Sequence, residues 1–129
     1  MGLMKETDIA ACIFRHDARN LRLRRRLAER GIDWRNKYQT ACRFLAPDQR
    51  QAVLLVEDLN RRGFRSVNSA PAGGKGCWSV EAHVQQSIDR TSSHEFTEEM
   101  VRWAAALSCT YEGWRALILQ DESADNAVA

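Results

Sequence analysis

Proline is almost missing from this chain: Pro47 and Pro71 are the only two in 129 residues. Such scarcity excludes an extended polyproline rod or a proline-rich linker between domains. Long apolar runs are missing as well. The run near the start, Ile9 to Phe14, falls far short of the roughly 20 residues of a membrane-spanning helix. No small-residue cleavage site follows it. A cytosolic, unprocessed protein without membrane contact is therefore expected. Cysteine is sparse and scattered, at Cys12, Cys42, Cys77 and Cys109, with no CxxC pair. A structural zinc site normally draws two ligands from one short turn. No metal is expected, and the four thiols read as small apolar side chains in a reducing compartment.

Groups for catalysis are also in short supply. The three histidines are His16, His83 and His94, and none sits in a nucleophile motif such as GxSxG. Cys77 and His83 share a strand face but stand about 20 Å apart along it. The turn Gly73-Gly74-Lys75-Gly76 departs from the phosphate-loop pattern GxxxxGK[ST]: no hydroxyl follows, and a strand succeeds it where a helix is required. No catalytic residue and no cofactor are expected. The chain reads as a non-enzymatic domain that binds another macromolecule.

What is present is an ordinary globular composition, 44% hydrophobic and 28% charged, at a one-domain length. Residues 1–120 are expected to form the domain and 121–129 a flexible acidic tail. The net charge of +2 is unevenly spread. Residues 15–37 hold nine basic side chains against Asp17, Glu29 and Asp33, while Asp121, Glu122 and Asp125 gather near the end. This asymmetry favours an acidic or polyanionic partner.

Hydrophobic periodicity supplies the elements. A helix is predicted from Asp17, its cap, to Arg30, stopped by Gly31, with Leu21, Leu23, Leu27 and Ala28 as its apolar stripe. Residues 5–15 are a candidate extension. Tyr38, Thr40, Cys42 and Phe44 alternate with Gln39, Ala41, Arg43 and Leu45 in a strand over 37–45. Pro47 opens a helix whose face is Ala52, Leu55, Val56 and Leu59, and Gly63 stops it. A short strand covers 64–68. In the next, 77–84, Trp78, Val80, Ala82 and Val84 alternate with Cys77, Ser79, Glu81 and His83. Ser92 and Glu95 have capping-box spacing ahead of a helix carrying Phe96, Met100, Trp103, Ala104 and Leu107. A last strand is expected over 114–120. The order predicts an α+β, ferredoxin-like βαββαβ sandwich: a four-stranded antiparallel sheet, helices on one face, and an extra N-terminal helix.

Three features suggest binding. Arg15, Arg19, Arg22 and Arg26 recur every three or four residues and share one helix face, a stripe able to meet phosphates or an acidic segment. On the open sheet face, Arg43, His83 and Arg115 fall on strands where they can meet. That face, with Ser79, Glu81 and His83, lacks the stacking aromatics of an RRM domain, so RNA binding of that type is disfavoured. Finally, in Tyr111-Glu112-Gly113-Trp114, Gly113 permits a turn or bulge and the two aromatics anchor the following strand.

That tetrad resembles the Tyr-Asp-Gly-Trp motif of the regulator of ribonuclease activity B family, with Glu112 in place of Asp. The likeness extends to Tyr38–Phe44, to Ala46-Pro47-Asp48, to Arg62-Gly63-Phe64, to the strand around Trp78, and to Gly31-Ile32-Asp33. Arg43 stands where the family's histidine is expected. The resemblance implies a ferredoxin-like fold and a non-enzymatic protein inhibitor of ribonuclease E that modulates RNA processing or decay by docking to that enzyme. The alternative reading is a protein binding RNA or DNA phosphates through the arginine-rich helix. Oligomeric state is not legible.

Overall fold

The computed structural model describes residues 5–73, 76–118 and 127–128. Its elements are α1 (Glu6–Glu29), β1 (Lys37–Ala46), α2 (Gln49–Arg61), β2 (Arg65–Pro71), β3 (Trp78–Ser87), α3 (Ile88–Thr91), α4 (His94–Ala106), β4 (Thr110–Leu117) and β5 (Ala127–Val128). The sheet order is β2-β3-β1-β4-β5 with antiparallel pairing throughout. The first four strands are the expected ferredoxin-like sandwich. Residues 119–126 and 129, most of the acidic tail, lie outside the described residues, as do Gly74 and Lys75. Residues 127 and 128 pair with Leu117 and Ala116.

The core side of the sheet is the one that alternation assigns. Thr40, Cys42 and Phe44 of β1 and Val80 and Ala82 of β3 are fully buried beneath α2 and α4. Several boundaries differ from expectation. Asp17 is not a cap: α1 begins eleven residues earlier, and Cys12 and Ile13 from that extension enter the core. The buried stripe of α1 is Cys12, Ile13, Asn20, Leu23 and Leu27. Leu21 is 58% exposed and Ala28 is exposed too, because the stripe runs through the polar Asn20. α2 begins at Gln49 and not at Pro47, and Asp48 is its cap, accepting from the Gln51 amide at 2.8 Å. Ser92 closes the extra turn α3 by donating to the Ile88 carbonyl, so the cap of α4 passes to Ser93, which accepts from the Phe96 amide. The last strand starts at Thr110, so the tetrad lies inside β4 and not ahead of it.

Both rims of the sheet are irregular. β2 changes register against β3 between Arg65 and Asn68 and ends on Pro71. On the other rim, β5 pairs only with the end of β4. Ahead of that pairing, His16 of α1 donates from Nε2 to the Tyr111 carbonyl at 3.0 Å.

Candidate functional site

The tetrad organises the site. Along β1, Cys42 pairs with Trp114 and Arg43 with Gly113, but Phe44 pairs with Tyr111. Glu112 is thus the extra residue of a β-bulge. The bulge lets Tyr111 and Trp114, three residues apart, both face the core, where they are 2% and 3% exposed. Tyr111 packs on Phe44 and on the ring of His16. Burial is the main reason the His16 pKa falls below its usual value. Trp114 donates from Nε1 to Asn20 Oδ1 at 2.8 Å, and Asn20 donates onward to Thr97 Oγ1 at 2.9 Å. A buried polar chain therefore ties β4, α1 and α4 together.

Gly113 has φ of +122°, a conformation side chains rarely adopt. A Cβ there would stand 2.6 Å from Nη1 of Arg19. The missing side chain is the seat of that guanidinium. Arg19 comes from the helix face next to the buried stripe, so its long side chain reaches the rim of β4.

The outer sheet face carries a polar network. Arg43 donates from Nε to Ser79 Oγ at 3.2 Å and pairs with Glu112 at 3.5 Å. Arg115 pairs with Glu81 at 3.4 Å. His83 donates from Nε2 to the same Glu81 carboxylate at 3.1 Å, while Gln39 donates to His83 Nδ1. Arg19, Arg43, Glu81, Glu112, Gly113 and Arg115 border a cavity of about 410 Å³ at the centre of this network. Such a surface recognises charge and hydrogen-bonding groups.

The residues singled out from sequence divide between two places. Arg19, Arg22 and Arg26 border one groove along α1, and Arg15 is exposed. Arg43 and His83 share the sheet face, but each meets a carboxylate and they do not bond to each other. Arg19 belongs to both places, a link that the helix spacing conceals. Glu81, Glu112 and Asn20 were not expected as partners. For Asn20 the signal was available: it stands at helical spacing with Leu23 and Leu27. Burial pushes the Cys42 thiol up to about 12 and the Cys109 thiol up to about 11, so both stay protonated near neutrality. Among the described residues no cluster of three His, Cys, Asp or Glu side chains is placed to hold a metal. No helix among them is long and apolar enough to cross a membrane.

Comparison with known proteins gives one family. The model described as regulator of ribonuclease activity B matches residues 17–115. That span runs from the middle of α1 to the tetrad. No curated protein sequence matches the chain.

Proposed function

Since the chain belongs to the regulator of ribonuclease activity B family, we propose that it acts without catalysis of its own, by docking to a ribonuclease E-type enzyme and altering how that enzyme cuts RNA. The family match over residues 17–115 carries this reading. It spans β1, β2, β3 and most of β4, with the bulge that presents Glu112 and Gly113. The network of Arg43, Glu81, Glu112 and Arg115, together with the arginine groove of α1, is the contact surface that this reading favours. Charged networks of this kind set partner choice and association rate more than they set raw affinity.

The test uses the purified full chain and a purified ribonuclease E. Binding is measured directly, and cleavage of a fixed RNA substrate is followed as the chain is added. A stable complex with slowed or redirected cleavage is expected. Absence of both would refute the reading. An RNA gel shift run alongside addresses the other partner class. Strong RNA binding by the chain alone, falling steeply with salt, would assign the arginine groove to nucleic acid.

A further inference from the structure

We infer that the cavity at the β4 bulge is a receptor for a single carboxylate, supplied by a glutamate or aspartate side chain of a protein partner. The inference rests on the docking reading above and specifies what that surface grips.

Three guanidinium groups, from Arg19, Arg43 and Arg115, converge on this cavity against two carboxylates, Glu81 and Glu112. Both carboxylates are committed. Glu112 is paired with Arg43, while Glu81 serves Arg115 and His83. Arg19 has no acid among the described residues, and its Nη1 is buried without a hydrogen-bond acceptor. The Nε of Arg115 is in the same condition. Unbonded N–H groups on a cation shielded from water are costly, and both residues border the one cavity. The lining holds one guanidinium more than it holds carboxylates, and the group that balances it is an oxygen acceptor with one negative charge.

The seat is built for this. Gly113 lets the Arg19 guanidinium approach to where any other side chain would stand. The bulge that puts Gly113 there also turns Glu112 out to hold Arg43. A carboxylate matches the planar fork of a guanidinium in two parallel hydrogen bonds. A nucleic-acid backbone fits less well. Its charges follow one another at about 3.4 Å of rise per strand, and the next phosphates would face Glu81 or Glu112. Arg22 and Arg26, lining the groove that adjoins Arg19, extend a positive field that draws an acidic protein segment toward the cavity.

The test follows the side-chain Nε–Hε NMR signals of Arg19 and Arg115 in the full chain. The probes are N-acetyl-glutamate methylamide, its glutamine counterpart, and a single-stranded oligonucleotide. The glutamate probe should shift both signals along a saturable curve, and the glutamine probe should leave them in place. Arg19→Gln should weaken the glutamate response about tenfold or more, with Arg19→Lys recovering only part of it. Equal responses to both probes, or an unchanged curve in Arg19→Gln, would overturn the inference. So would saturable displacement of the glutamate probe from these two signals by the oligonucleotide. Should Arg19→Gln fail to fold, the glutamate-against-glutamine comparison in the parent chain decides alone. The readout is separate from ribonuclease binding. A cavity that takes glutamate in a chain that ignores ribonuclease E refutes the docking reading only. Tight ribonuclease binding without the glutamate response refutes the cavity only.

Discussion

At the scale of single residues, Gly113 and Asn20 carry more than their size suggests. Gly113→Ala places a methyl group against Arg19 Nη1 and forces a side chain into the φ +122° conformation. Strained backbone of this kind costs about 1–3 kcal/mol. Urea unfolding should show a loss of that size, and part of it should return when Arg19→Ala is added, because the clash then disappears. Additive losses would mean that the guanidinium does not rest on the glycine. Asn20 is 2% exposed and is bonded at both ends of its amide. Asn20→Ala strands the Trp114 N–H, at about 1–3 kcal/mol, and takes from the Thr97 hydroxyl the bond it accepts, leaving its donation to the Ser93 carbonyl. Restoring volume with Asn20→Leu should not recover it. The sequence declared the aromatic anchors of the tetrad plainly, and the bulge was among its two readings. The guanidinium seat was not legible, since nothing in local spacing joins position 19 to position 113.

At the scale of elements, two histidines tie α1 to its neighbours, His94 of α4 through Asp17 and His16 through Tyr111 of β4, and their contributions to stability respond oppositely to pH. His94 donates to Asp17 at 2.7 Å, and that hydrogen bond, with the Asp17 charge, raises its pKa above 6.5. Its contribution is fully present below the unfolded value of 6.5 and is lost as pH rises through the higher folded value. His16 is held below 6.5, chiefly by burial. Its contribution is present above 6.5 and is lost as pH falls through the lower folded value. Thermal unfolding of His94→Gln should fall furthest below the parent near pH 6 and converge on it near pH 9. A gap that stays constant with pH would remove the His94 charge from the account. Periodicity identified every strand of the four-stranded sheet and both long helices that cover it. It erred where a polar residue sat in a buried stripe, as Asn20 does. It also erred where adjacent serines competed for one cap: Ser92 was already engaged by Ile88, which left the role to Ser93.

At the scale of the whole molecule, one core cluster takes side chains from all four helices and from β1, β3 and β4, with Val67 of β2 packed against it. The extension of α1 ahead of the family-matched span contributes Cys12 and Ile13 to it. Ile13→Ala should therefore lower global stability by about 2–5 kcal/mol, with helix circular dichroism and tryptophan fluorescence still changing together. An early, separate loss of helix signal would make α1 an appendage. The rims of the sheet bear on how the molecule behaves in a crowd. A regular, unpaired strand edge is a template on which further chains can stack. Here one rim strand slips register and stops at a proline, while on the other side β4 is bulged and a histidine occupies one of its carbonyls ahead of a two-residue terminal pairing. Two copies that collide find little continuous backbone to share, so concentrated or partly heated samples should be slow to seed fibrils. By the same reasoning, a partner gains little by adding a strand of its own and must grip the protein through side chains.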